Sequence, residues 1–216
     1  LPIINKKKIV VDYFSMEERI VKDEERLYDK SLKSISVVIM AGGKGTRLEP
    51  FTKILPKPLV PIHDKPIIEH IVDRFNKLGC EDFIFTINYK GKIIKAYFDE
   101  LDPKYSVSFV EEKQPLGTAG SLNEIKSNVE SSFFVTNCDI LIDADYESIY
   151  KFHNNEKNVV TLVASTKEYI IPYGTCELNE EGHLASINEK PQYNFLVNTG
   201  LYVVDPKVLE LIPRNK

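Results

Sequence analysis

Tryptophan is absent from the 216 residues, cysteine occurs three times and methionine twice. Cys80, Cys138 and Cys176 stand far apart, with neither the pairing of a disulfide framework nor the close spacing of a metal site. No disulfide is expected, and a cytoplasmic, reducing compartment suits this usage. Neither charge sign is in large excess: 28 Lys and Arg against 32 Asp and Glu leave a net charge of −4. Such a balance offers no global attraction to nucleic acid or to an anionic membrane. Long apolar runs are missing too, since Ile35–Met40 and Val159–Ala164 fall far below the roughly 18 to 20 residues of a membrane span. The opening residues lack a signal-peptide pattern, and no internal repeat or low-complexity tract is present. What is there, 43% hydrophobic residues, is enough for the large core of one α/β domain.

Along the chain, Leu1–Asn5 and Ile9–Phe14 read as two short strands joined by a turn at Lys6-Lys7-Lys8. Met16–Ser34 is a mixed-sign, helix-prone stretch with few apolar anchors, which reads as a linker. From Ser36 the pattern alternates. Strands are predicted at Val37–Met40, Phe83–Ile87, Val107–Val110 and Phe133–Thr136, and helices at Pro66–Leu78, Lys92–Leu101 and Thr118–Val129. A helix at Tyr146–Asn155, a strand at Val159–Ala164 and further strands at Gly174–Leu178, Leu184–Asn188 and Gly200–Val204 follow. This alternation favours an α/β fold with a Rossmann-like, doubly wound, mostly parallel mixed sheet, whose ligands sit at the C-terminal strand ends.

One such end carries Ala41-Gly42-Gly43-Lys44-Gly45-Thr46-Arg47-Leu48. Glycines let backbone N–H groups close on phosphate oxygens, and Lys44 and Arg47 add positive charge. The segment is neither a Walker loop, because Gly45 stands where Ser or Thr is required, nor a dinucleotide fingerprint, because Leu48 takes the third glycine position. A plain glycine turn would also account for it in isolation. In Pro56-Lys57-Pro58-Leu59-Val60-Pro61 the prolines stiffen the backbone around Lys57, which suits a second phosphate, although in isolation a solvated loop lysine is the favoured reading.

Gly42 to Pro58 matches every defined position of G-G-x-G-T-R-L-x-P-x-T-x-x-x-P-K-P. The stretch resembles the sugar-nucleotide pyrophosphorylases, nucleotidyltransferases that join a nucleoside triphosphate to a sugar 1-phosphate. The resemblance implies nucleotide contacts from Ala41, Gly42, Gly43, Gly45 and Thr46, and catalytic roles for Arg47 and Lys57. Gln114-Pro115-Leu116-Gly117-Thr118 resembles the base-reading loop, with Gln114, Gly117 and Thr118 as contacts. In Asn137-Cys138-Asp139, Asp139 matches the family's Mg²⁺-binding aspartate, and Cys138 replaces the usual glycine as a packing residue rather than a nucleophile. Tyr173-Gly174, Asn188-Glu189-Lys190-Pro191 and Val197-Asn198-Thr199-Gly200 resemble the sugar-phosphate side, giving Gly174, Glu189, Lys190 and Asn198 as contacts. A strand-end ion pair is the plain reading of Glu189 and Lys190. His63, His70, His153 and His183 show no ligand spacing.

Residues 1–16 resemble the closing strands of a CBS module, with residues 17–35 as linker and 36–216 as the nucleotidyltransferase domain. Within the family, the CBS-bearing subgroup similar to glucosamine-1-phosphate guanylyltransferases of legionaminic acid synthesis is the nearest resemblance. The implied reaction is GTP with glucosamine 1-phosphate giving GDP-glucosamine and pyrophosphate, with Mg²⁺ as cofactor. A nucleotide-sensing regulatory protein on the same fold is the alternative. The implied partners are the two substrates, with no nucleic acid or membrane, and a homo-oligomer is compatible with the sequence. The family's second metal aspartate lies in a W-x-D-x-G segment, and no Trp is present. The chain is therefore expected to be truncated at its C-terminus, with Asp143, Asp145 and Asp205 as stand-ins.

Overall fold

The computed structural model describes residues 2–4, 10–13, 31–112 and 120–213. At the front, β1 (Pro2–Ile4) pairs antiparallel with β2 (Val10–Tyr13), as the two apolar segments predict. The Lys6–Lys8 turn and most of the linker lie outside the described residues.

A six-stranded sheet follows. Its strands are β3 (Ser36–Met40), β6 (Asp82–Ile87), β7 (Ser106–Glu111), β8 (Phe133–Asn137), β9 (Val160–Ile170) and β12 (Gln192–Val204), in the order β7-β6-β3-β8-β12-β9. Strands β7, β6, β3 and β8 run parallel, and β12 is antiparallel to both β8 and β9. The chain builds outward from β3 to β7 and then returns to place β8 on the other side of β3. The β3/β8 boundary is thus the point where strand order reverses, and open α/β sheets bind ligands there.

Strict alternation within the strands explains why both faces are covered. Val37, Ile39, Phe83, Phe85 and Phe134 pack on one face with Ile68, Ile71, Val72 and Phe75 of α2 (Ile67–Lys77). Val38, Ile84, Phe133 and Val135 pack on the other with Leu122, Ile125, Val129 and Leu209. Successive strand residues point to opposite faces, and parallel strands buried on both sides read as continuous apolar runs. Helix α2 starts after Pro66 and presents its apolar stripe inward, as predicted. Two further long helices among the described residues, α3 (Gly91–Leu101) and α4 (Tyr146–Asn155), also fall where the pattern puts them.

Three features differ from expectation. Within the described part of the predicted Thr118–Val129 helix, residues Ser121–Ile125 form a 3-10 turn. Ser and Asn at positions 121, 123, 127 and 128 offer side-chain alternatives to helical bonding, and Asn123 donates to the Ile212 and Pro213 carbonyls. Leu122 and Ile125, three residues apart, are both buried, the spacing that a 3-10 turn aligns. Second, β9 and β12 are 11 and 13 residues long, far beyond the predicted runs. They pair with each other from Val160↔Val204 out to Ile170↔Gln192 and leave the sheet as a two-stranded ribbon. Exposure of both ribbon faces leaves no apolar alternation to read. Third, the proline-rich loop contains a single-turn helix α1 (Phe51–Ile54), a 3-10 turn Lys57–Leu59, and a small hairpin of β4 (Pro61–Ile62) with β5 (Lys65–Pro66).

Candidate active site

Parallel strands deliver their loops to one edge, and Gly45, Lys57 and Asp139 meet there. Ala41 prolongs β3 by donating its N–H to the Thr86 carbonyl at 2.8 Å and is fully buried. The chain then opens into the glycine segment. Gly45 has φ 68°, in the left-handed region, and a Cβ there would lie 2.9 Å from Thr52 Cγ2 and 3.0 Å from Lys57 Cβ. Only glycine occupies such a position without strain, so the motif's third glycine sets the loop's closest approach to the Lys57 segment. Thr52, buried at 2% exposure, fixes that approach by donating from Oγ1 to the Gly45 carbonyl at 2.9 Å. Immediately after Gly45 the chain turns through the 3-10 turn Thr46–Leu48, which holds Arg47 at the surface. The Arg47 guanidinium takes no hydrogen bond or ion pair among the described residues, so its charge is open to a ligand.

Lys57 and Asp139 form an ion pair at 2.6 Å, with side chains 23% and 31% exposed. Asp139 leaves the end of β8 and Lys57 leaves the proline loop, so the pair spans the β3/β8 reversal. Partly exposed pairs of this kind contribute under about 1 kcal/mol, little enough to be exchanged for substrate contacts. Cys138, between Asn137 and Asp139, is buried, and burial pushes its thiol up to about 12. It is a packing residue, as expected.

The residues expected to meet the sugar lie along the ribbon and around the β10–β11 hairpin, Thr175–Leu178 against Leu184–Asn188. Strand β12 opposes β8 with Leu201 facing Thr136, so the residues before Leu201 run past the C-terminal end of β8. There the pairing with β9 breaks between Asn198 and Leu201. Gly200, at φ 76°, lies where a side chain would collide with Asn137 and Ile140. The Asn198 amide holds this bulge: its Oδ1 accepts from Gly200 N at 2.8 Å and its Nδ2 donates to the Tyr202 hydroxyl at 2.6 Å. The N-T-G segment therefore arrives beside Asn137, two residues from Asp139. Gly174 and Glu189 also meet, since a Cβ on Gly174 would be 3.0 Å from Glu189 Oε2. Lys190 follows in a left-handed conformation at φ 46° and is exposed. It forms no salt bridge with Glu189 among the described residues.

Gln114, Gly117 and Thr118 lie outside the described residues. Two of the proposed stand-in carboxylates are committed elsewhere. Asp145 caps α4, accepting from Ser148 N at 3.0 Å and Ser148 Oγ at 2.8 Å, which hold its carboxyl below the usual range. Asp205 caps the 3-10 turn Pro206–Glu210 through Lys207 N at 2.9 Å. Among the described residues no group of three or more His, Cys, Asp or Glu is placed to hold a metal. Asp139, a partly exposed carboxylate at the strand end, fits the mode in which Mg²⁺ takes one or two carboxylates and completes its shell with phosphate oxygens and water.

Sequence reading gave no role to Thr52, which sits inside the matched motif, or to Glu112 and Asn88. The Glu112 carboxylate packs against Gly42, where a Cβ would meet Oε1 at 2.8 Å, and Asn88 Nδ2 donates to the Glu112 carbonyl at 2.8 Å. Their signal was positional: both follow the C-terminal ends of parallel strands. No helix among the described residues is long and apolar enough to cross a membrane.

The nucleotidyl transferase family matches residues 36–216. The chain is 36% identical over 184 residues to mannose-1-phosphate guanylyltransferase catalytic subunit beta of Drosophila pseudoobscura pseudoobscura, covering 81% of this chain and 49% of that protein. The Xenopus tropicalis protein of the same name is 34% identical, with 82% of this chain and 52% of the relative covered. The chain thus spans about half the length of these curated relatives. Among solved structures, HddC from Yersinia pseudotuberculosis complexed with GMP-PN superposes with a TM-score of 0.65 at 28% identity, covering 84% of this chain and 81% of that one. With its glycine loop, proline-held lysine and strand-end aspartate gathered at the sheet's reversal point, the chain belongs to the nucleotidyl transferase family.

Proposed function

We propose that the protein transfers a guanylyl group from GTP to a hexose 1-phosphate, releasing pyrophosphate and forming a GDP-sugar. The observation that carries this reading is the Lys57–Asp139 pair at the mouth of the glycine loop, at the point where a parallel sheet receives a nucleotide. Guanine is favoured because the relatives are named guanylyltransferases and HddC was solved with GMP-PN. For the sugar, those relatives favour mannose 1-phosphate, whereas the resemblance of the front segment to a CBS module favours glucosamine 1-phosphate. On this reading residues 1–16 are a CBS remnant, 17–35 a linker and 36–216 the nucleotidyltransferase domain, and the β1–β2 pairing supports the first of these.

In the reaction an oxygen of the sugar 1-phosphate attacks the α-phosphorus of GTP in line. The new P–O bond forms as the bond to the β-phosphate oxygen breaks, and that electron pair leaves with pyrophosphate. Two polyanions must approach, so catalysis consists of positioning and charge neutralisation. Backbone N–H groups of Gly42, Gly43, Gly45 and Thr46 cradle the triphosphate. Arg47, exposed and without a partner among the described residues, takes the β- and γ-phosphates and the charge that develops on pyrophosphate. Lys57 exchanges Asp139 for the α-phosphate and the incoming phosphate, and Lys190 holds the phosphate of the sugar. Asp139 would hold a divalent cation, which when bound supplies charge neutralisation between phosphate oxygens. Gln114, Gly117 and Thr118 read the base, and Gly174, Glu189 and Asn198 meet the sugar.

The test is pyrophosphate release with Mg²⁺ across GTP, dTTP, UTP, CTP and ATP, each with mannose, glucosamine and glucose 1-phosphates. Release confined to GTP with one of the first two sugars is the expected result. Release confined to another nucleotide would overturn the guanylyl assignment, and GTP binding without release would favour a sensing role.

A further inference from the structure

Between Arg47 and Lys57 the loop is anchored by burial only at Thr52 and Pro56. Leu48, Phe51, Ile54 and Leu55 all point to solvent, with Ile54 77% exposed. Helix α1, in the middle of this loop, is a single turn, too short to be stable by itself. Its last carbonyls have no partner within the helix. They are held from outside. Lys90, at the junction of β6 and α3, donates from Nζ to the carbonyls of Thr52 at 3.1 Å, Lys53 at 2.7 Å and Ile54 at 2.9 Å. All three ammonium protons are thereby used, and the positive charge lies at the negative end of the turn. Lys90 itself adopts φ 56°, a conformation uncommon outside glycine and costing about 1 kcal/mol or more when held. Such a backbone persists where the surrounding contacts fix it, and here the three carbonyl bonds of the side chain are among them.

The chain of contacts continues. Thr52, whose carbonyl Lys90 takes, donates its hydroxyl to the Gly45 carbonyl at 2.9 Å. Gly45 also accepts from Leu48 N at 2.9 Å, closing the turn that carries Arg47. Lys90 thus reaches Arg47 through Thr52 and Gly45, and it reaches Lys57 through the carbonyls that end α1 three residues earlier.

We propose that Lys90 is a positioning residue: its ammonium clamps the α1 carbonyls and, through Thr52, fixes the phosphate loop so that Arg47 and Lys57 stand in reacting geometry. This rests on the nucleotidyltransferase reading for its catalytic consequence, but not for the clamp itself. A charge-to-carbonyl clamp suits a loop whose outer face must stay open to a polyanion. Lys90, saturated by carbonyls, would brace the loop without drawing the phosphates away from Arg47.

The experiment compares wild type with Lys90→Met and Lys90→Arg by amide hydrogen exchange of the free protein and by steady-state pyrophosphate release. Lys90→Met is expected to speed exchange over residues 46–55 at least tenfold while β3 and β6 stay protected. Its kcat is expected to fall about 100-fold, the scale of a small misplacement of reacting groups, with KM for GTP within about threefold. Lys90→Arg, keeping charge and some carbonyl bonds, should recover at least a tenth of wild-type kcat. Unchanged exchange would overturn the clamp. Faster exchange with unchanged kcat would reduce Lys90 to a structural brace and overturn the positioning role. A wild-type protein that releases no pyrophosphate with any substrate pair would overturn the transferase reading, and with it the catalytic half of this proposal. Exchange would then decide the clamp alone.

Discussion

The parallel sheet and the β9–β12 ribbon are built from the same residue types under opposite conditions. In the sheet, Phe85 is fully buried between neighbouring strands and meets Phe98 and Phe109 at 4.8 and 5.6 Å. In the ribbon, Phe195 pairs with Tyr169 at 6.0 Å and Tyr193 at 6.3 Å, yet remains half exposed, and Leu196 is 78% exposed. Rings touch in both places, but only in the sheet is water excluded on both faces. Close packing leaves the sheet one arrangement, so the strand ends it carries, Ala41 and Asn137 to Asp139, are fixed platforms. The ribbon carries Asn198 and the hairpin that brings Glu189 to Gly174, and backbone pairing with a few exposed ring contacts holds it out. On the proposed function this is a division of labour: the phosphate-binding residues sit on the rigid part, and the sugar contacts sit on the part that can adjust.

The largest expected effect breaks this contrast at the core. Phe85→Ala should cost roughly 3 to 5 kcal/mol of stability in urea denaturation, whereas Leu196→Ser should stay within about 0.5 kcal/mol. Arg47→Ala tests the proposed chemistry rather than the folding. It is expected to lower kcat about 100- to 1,000-fold, the scale of losing one charge-stabilising group, with an unchanged thermal midpoint. Gly45→Ala should lose about 1 to 3 kcal/mol, because it combines positive φ with contacts on Thr52 and Lys57. Thr52→Val, removing the hydroxyl at that same junction, should cost about 1 kcal/mol. The smallest effect is in pH. His153 is buried against Thr161 and Ser132, and desolvation holds its pKa below 6.5, opposed by the nearby Asp205 carboxylate. Below pH 6.5 the unfolded chain binds a proton that the folded chain resists, so stability falls as pH drops from 6.5 through the folded value. His153→Gln should flatten that part of the stability profile in urea denaturation at pH 5 to 7.

The same contrast explains what was legible in the sequence. Val37–Met40, Phe83–Ile87 and Phe133–Thr136 stand out because two-sided burial demands unbroken apolar runs, and Ile67–Lys77 because one-sided burial demands helical spacing. The glycine loop and Lys57 were readable through the long motif they share with the family, and the structure gives the physical reason for one of its positions: φ 68° and close backbone approach at Gly45 allow few residue types. The ribbon's length was not, since antiparallel pairing in solvent imposes no apolar period over Lys167, Glu168 and Asn194. Nor was the carbonyl clamp of Lys90, which uses a common residue type and acceptors every residue possesses. Asp145 and Asp205 misled for a related reason: an aspartate before a helix serves as a cap as readily as a metal ligand, and only geometry tells them apart.

Amide hydrogen exchange with GTP alone, and then with GDP-mannose or GDP-glucosamine, tests the division most directly. GTP alone should protect residues 41–58 and 137–139 while leaving 173–175 and 188–198 unchanged, and a GDP-sugar should add protection to those two ribbon-side segments. Protection of the ribbon by GTP with none at the glycine loop would contradict the account.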